Sequence, residues 1–213
     1  MHSFKELQIK KWDKEYSEKG SLWHGPAHLD FDLPENSRVL ELGCGNGKTL
    51  SGILRTNCKV TAIDSSPKAV ELCKEMAERL GRNDAEILVA DVCDLPFPES
   101  SFDIVLSFHI LEHLLSEDRA KAVFEIKRVL VPGGKVFVRV FSVGDMRFGK
   151  GKEIEKNTFQ RGNKLAYHYF TEQELGNLFS NFKKKESKTI FREVHYEKKT
   201  FKRERIQALF ERA

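Results

Sequence analysis

Glu41 is followed at alternate positions by Gly43, Gly45 and Gly47, with Lys48 and Thr49 next in the chain. Arg38 to Leu42 reads as a buried strand and Thr49 to Leu54 as the apolar side of a helix. The glycines therefore form a strand-to-helix turn against which a ligand can press without meeting a Cβ. A nucleoside triphosphate loop carries a glycine five positions before its Gly-Lys-Ser/Thr ending, and position 42 is Leu. A dinucleotide fingerprint, Gly-x-Gly-x-x-Gly, places its third glycine one residue later, so the spacing argues against a pyrophosphate.

Further acidic residues close apolar strands. Asp64 ends Lys59–Ile63 and is followed by Ser65-Ser66-Pro67; Asp91-Val92 ends Glu86–Ala90. A carboxylate at a strand tip can accept two hydrogen bonds from vicinal ribose hydroxyls. With Phe102–Ser107, Leu111-Glu112-His113-Leu114 and Arg128–Lys135, these segments make five motifs in order over residues 38 to 142. The set resembles the class I S-adenosylmethionine-dependent methyltransferases, whose first motif is an acid followed by Gly-x-Gly-x-Gly. The resemblance implies that Glu41, Gly43, Cys44, Gly45, Asp64, Ser65, Asp91, Val92 and Ser107 surround S-adenosylmethionine and its product S-adenosylhomocysteine. It puts Asp64 on the ribose, Asp91 on the adenine amino group and Cys44 beside the methionine moiety.

The elements that must position these groups alternate from residue 38 onward: strands 38–42, 58–63, 85–90, 102–107 and 134–142, and helices 47–55, 67–80 and 117–129. Such alternation predicts an α/β parallel sheet covered on both faces, with ligands at the C-terminal ends of its strands. The resemblance implies a Rossmann-like seven-stranded sheet of order 3-2-1-4-5-7-6. Its last two strands, 184–194 and 204–211, would form an antiparallel pair; a terminal helix over 203–212 is the competing reading. Phe4, Leu7, Lys11, Trp12 and Tyr16 recur at helical spacing and predict a helix over 3–18, with Trp12, Tyr16 and Trp23 as candidate walls of the cofactor site. Thr171 to Glu174 reads as a capping box. One domain is expected, comprising a helical cap at 1–37, the cofactor core at 38–142, a substrate lid at 143–170 and a C-terminal helix with two strands at 171–213.

The chain has 213 residues, 40% hydrophobic and 32% charged, as a soluble globular protein does. No apolar run approaches the roughly 18 residues of a membrane span and no secretory signal opens the sequence, so the expected location is the cytoplasm. Cys44, Cys58, Cys73 and Cys93 are too scattered for a zinc site or a disulfide framework, and no metal is expected. Residues 143 to 213 hold 17 Lys/Arg against 10 Asp/Glu, whereas residues 1 to 142 hold 19 against 22. The basic runs at 183–185, 198–199 and 202–205 fit either a solvated surface, given their interleaved glutamates, or an RNA backbone.

Methyl transfer from a sulfonium requires alignment and exclusion of water, and a base only where the acceptor must lose a proton. His109 and His113, after the fourth strand, are the candidate catalytic residues, and Arg147 and His168 the candidate substrate contacts. Arg147, Lys150, Lys152 and Arg161 would let the lid grip an acidic acceptor. The leading expectation is a small-molecule acceptor. The alternatives are a tRNA, since Tyr167–Leu175 resembles a segment of the wobble-uridine methyltransferases and the tail is basic, and a catalytically silent cofactor-binding module acting through partners.

Overall fold

The computed structural model describes residues 3–20, 29, 31–196 and 199–213. Trp23, the turn at 23–26 and Lys198 lie outside the described residues. Helix α1 (Phe4–Lys19) precedes an alternation of β1 (Arg38–Leu42), α2 (Leu50–Ile53), β2 (Lys59–Asp64), α3 (Pro67–Arg79), β3 (Glu86–Val89) and β4 (Phe102–Phe108). A 3-10 turn at Leu111–His113 leads to α4 (Ser116–Val129) and β5 (Leu130–Phe141). Then come β6 (Lys152–Glu155), β7 (Thr158–Gln160), β8 (Ala166–His168), α5 (Glu172–Leu178), β9 (Phe182–Tyr196) and β10 (Lys199–Arg212).

The main sheet runs β3-β2-β1-β4-β5-β10-β9, which is the expected order, and β10 is antiparallel to both neighbours. The terminal-helix alternative for 203–212 is excluded, because Arg205 to Glu211 pair residue by residue with β5. Val39 to Leu42 are wholly buried between two apolar layers, one under α4 and α5 and the other under α2 and α3. That two-sided burial explains the unbroken apolar runs in the sequence. Arg38 locks β1 to β4 through both oxygens of Asp103.

Helix starts follow their caps. Ser3 and Glu6 form a reciprocal capping box on α1, and Ser66 accepts from the Ala69 amide at 3.1 Å ahead of Pro67. At α5, Thr171 accepts from the Glu174 amide, but the carboxylate of Glu174 turns to His168 instead of completing the expected box. The expected helix 47–55 shrinks to α2 because Gly47 has φ +82° and Arg82 binds the carbonyls of Leu54, Thr56 and Cys58 beyond it. Within the expected lid at 143–170 lies a small second sheet. Lys152–Glu155 and Thr158–Gln160 pair across Asn157 at φ +60°, and Ala166–His168 adds the third strand.

Candidate functional site

A cavity of about 630 Å³ opens at the C-terminal ends of β1 to β5 and is roofed by the Phe4, Gln8, Trp12 and Tyr16 face of α1. Successive turns of one helix put these four side chains on one stripe. Of the expected apolar stripe, Leu7 is instead 44% exposed. Polar contacts pin the roof at three places. Gln8 donates to the Lys164 carbonyl and accepts from the Ala166 amide; Asp13 accepts from the Ser66 hydroxyl and the Lys68 amide; Lys5 pairs with Asp91.

At the inner end, Gly43, Gly45 and Gly47 all have positive φ. A Cβ on Gly43 would lie 2.9 Å from the Ile110 side chain, and one on Gly45 2.7 Å from the Tyr16 hydroxyl oxygen. The loop therefore takes no side chain at either position. Asp64 accepts from the amides of Gly45 and Ser66, each at 2.9 Å, and Ser65 lies beside it on the wall. Burial raises its carboxyl above the ordinary value against the pull of those amides. Glu41 is buried with one carboxylate oxygen unpartnered among the described residues; burial first, and then the charge of Asp64, push it well up. Asp91 accepts from the Cys93 amide at 2.9 Å, and Val92 completes that wall.

Cys44 also lines the cavity, with its sulfur 3.6 Å from that of Cys73. The Cys73 contact, followed by burial, raises its thiol well above the ordinary value. Ser107 departs from expectation. It is wholly buried in β4 beside Leu42, off the cavity wall, with its hydroxyl unpartnered among the described residues.

Farther out, the wall becomes aromatic. His113 sits edge-on to Trp12 at 4.8 Å and to Tyr167 at 5.1 Å, while Phe141 lies 4.9 Å from His109. Arg147 stacks on Phe141 and Arg161 on Tyr167, each at 4.1 Å. The His113 Nδ1–H donates to the Ala166 carbonyl at 3.0 Å, and burial lowers its pKa, so the ring is neutral at neutral pH. His109 adopts φ +58° at the tip of β4, with Nδ1 2.6 Å from the fully buried Glu112. A non-glycine residue in the left-handed region persists where its surroundings fix it. His168, expected as a substrate contact, lies off the cavity wall: it is 1% exposed and within 2.8 Å of Thr158 and of Glu174. Its place as the last residue of β8 turns its ring into the core.

Three acids and a glycine loop at the inner end favour a ligand that is neutral or positive there, and oppose a pyrophosphate. The unpartnered buried oxygen of Glu41 and the cradle that a Cβ would fill both fit an adenosyl amino acid carrying a sulfonium. Among the described residues no group of three or more His, Cys, Asp or Glu is arranged to hold a metal ion, and no helix is long and apolar enough to cross a membrane.

Comparison with known proteins gives consistent matches. A family model described as a methyltransferase domain matches residues 40–138. The tRNA N(3)-cytidine methyltransferase METTL2 of Mus musculus is 34% identical over 170 residues, 72% of this chain and 43% of that protein. The tRNA (carboxymethyluridine(34)-5-O)-methyltransferase of Arabidopsis thaliana is 36% identical over 121 residues, 56% of this chain and 28% of that protein. The chain thus spans under half the length of these curated relatives. In fold it is similar to a solved S-adenosylmethionine-dependent methyltransferase from Methanosarcina mazei, with TM-score 0.71 and 24% identity over 86% of this chain and 99% of that one.

Proposed function

The chain belongs to the class I S-adenosylmethionine-dependent methyltransferases, and on that premise we propose that its acceptor is a pyrimidine base of a tRNA. The aromatic outer wall carries this reading. Trp12, His113, Phe141 and Tyr167, with Arg147 and Arg161 stacked on two of the rings, line one continuous cavity with the cofactor cradle. Aromatic and guanidinium faces bind an unstacked base. The two curated relatives named above act on tRNA by their names, which supports the tRNA alternative over the small-molecule acceptor expected from sequence.

When bound, S-adenosylmethionine supplies a methyl group on a positive sulfur. Asp64 would hold its ribose and Asp91 its adenine amino group, with Glu41 and the amides of the glycine loop against its amino-acid end. The α1 roof excludes water, and the aromatic wall sets the plane of the acceptor, which is where most of the acceleration of such a transfer arises. Cytidine N3 and a carboxymethyl oxygen both attack with a lone pair and need not lose a proton first. His109, oriented by Glu112 and Phe141, accordingly acts as a hydrogen-bonding partner to the acceptor and not as an obligatory base.

The test is incubation with methyl-labelled cofactor, bulk tRNA and a small-metabolite fraction, followed by digestion and nucleoside separation. Label in one modified pyrimidine is the expected result. Label confined to small metabolites restores the small-molecule reading, and no transfer to any fraction favours a silent module.

A further inference from the structure

Strands β9 and β10 reach the cavity mouth, where the cross-strand register sets Arg192 directly opposite Arg203 and Ile190 opposite Arg205. Directly opposed residues share a face, and alternate residues along a strand share it too, so the three arginines form one patch. Arg147 joins them from the segment after β5. Like charges in direct cross-strand register destabilise a sheet, and little here offsets them. Asp145 is fully committed: it accepts from the Arg147 side chain and amide with one oxygen, and from Arg203 and the Glu204 amide with the other. The Glu204 carboxylate is taken up by the Ser142 hydroxyl and Lys202.

Four guanidiniums therefore share one carboxylate. Among the described residues no acid pairs with Arg192 or Arg205, and the Arg205 Nε is buried without a hydrogen-bond partner. Burial, then the charge of Arg147, with that of Arg192 adding, pulls Arg203 below the ordinary guanidinium value even against its hydrogen bond to Asp145.

We propose that Arg192, Arg203 and Arg205, with Arg147, form a phosphate subsite at the cavity mouth that holds a phosphate of the acceptor nucleotide while its base lies against the aromatic wall. Forked guanidiniums suit phosphate oxygens, and an oxyanion between Arg192 and Arg203 relieves their repulsion. The proposal rests on the reading of the acceptor as an RNA nucleotide. It goes further in fixing which part of that nucleotide meets β9 and β10.

The test titrates the full chain with inorganic phosphate, cytidine and cytidine 5′-monophosphate, and measures KM for tRNA in R192Q, R205Q and the equal-charge control K183Q. Arg192 and Lys183 are exposed, so two of these variants carry no packing change. The monophosphate should bind at least about 10-fold more tightly than cytidine, and R192Q or R205Q should erase the difference. Either variant should raise KM for tRNA about 10-fold or more and flatten the log-log salt dependence by about 0.7 per lost contact, with K183Q near wild type. R192Q should not lower the melting temperature, since it removes a repulsion.

No preference for the monophosphate, or an equal loss in K183Q, overturns the subsite. Inorganic phosphate binding as tightly as the monophosphate overturns the nucleotide assignment. If tRNA is methylated and R192Q and R205Q keep the wild-type KM, the subsite fails while the acceptor reading stands. If the phosphate preference is present and arginine-dependent but label never enters RNA, the subsite stands and the acceptor reading fails.

Discussion

The two ends of the cavity are built by different means. The inner end is made from strand tips and the turns that follow them: Gly43 to Gly47 after β1, Asp64 and Ser65 after β2, Asp91 and Val92 after β3. Its geometry is set by backbone, since the Asp64 carboxylate is itself held by the amides of Gly45 and Ser66. The outer end is assembled from side chains of α1, β5, β8, β9 and β10, which come from the two ends of the chain, the added sheet and one central strand. The inner end is acidic and the outer end is rich in arginine. The contrast teaches that one cavity can keep a fixed grip on its cofactor while its acceptor chamber is built on separate elements.

Four variants would break or sharpen that contrast, in falling order of effect. Asp64→Ala should weaken S-adenosylmethionine and S-adenosylhomocysteine by roughly 10- to 150-fold, the worth of about 1.5–3 kcal/mol for hydrogen bonds to a charged group. Calorimetry should at the same time find tRNA affinity near wild type; a parallel loss of both ligands would mean that the two ends are one unit. Tyr167→Ala removes a face of the aromatic wall and leaves Arg161 without its ring. Its kcat/KM for tRNA should drop roughly 5- to 150-fold, since stacking is worth about 1–3 kcal/mol per base. Unchanged cofactor binding in the same protein would sharpen the division, and an unchanged kcat/KM would remove the base slot from the outer wall.

His109→Asn should slow turnover by less than about 10-fold, without altering the slope of log kcat against pH between about pH 6 and 8. A larger loss that shrinks as pH falls, because protonation disables the wild-type imidazole too, would make His109 a base and the acceptor a group that must lose its proton. The smallest effect concerns stability. Burial lowers the His113 pKa in the fold, so below about pH 6.5 the unfolded chain binds a proton that the folded chain refuses. Stability should therefore fall as pH drops through that range, more steeply in wild type than in His113→Asn. Thermal melts at several pH values read the two slopes, and equal slopes would place the acid sensitivity elsewhere.

The inner end was legible in sequence because its requirements are local. Glycines where a Cβ would strike Ile110 or Tyr16, and an acid directly after an apolar strand, are visible as residue types at fixed spacing. Ser107 misled because β4 carries it one position too early: its side chain points into the sheet's packing, and the strand continues to Phe108. His168 looked like a cavity residue because its partners, Thr158 and Glu174, come together only once β7 and α5 have folded.

The outer end was mostly hidden. Arg192 and Arg203 are 11 positions apart, and only the register of β9 with β10 makes them opposite. Phe141 carried no signal beyond being aromatic, and Tyr167 only its place at the head of the Tyr167–Leu175 segment. Gln8 did carry one, as a polar residue repeating at four-residue spacing with Phe4, Trp12 and Tyr16 on an otherwise cavity-facing stripe.

The roof has a kinetic consequence. The Tyr16 hydroxyl lies where even a methyl group on Gly45 would collide with it, while Gln8 ties the same helix to Lys164 and Ala166, and Lys5 ties it to Asp91. A molecule filling the inner end lies beneath these ties, so their joint opening is the expected step in its exchange. Its residence time, and hence the ceiling on repeated turnover, would then follow how often one sixteen-residue helix lifts.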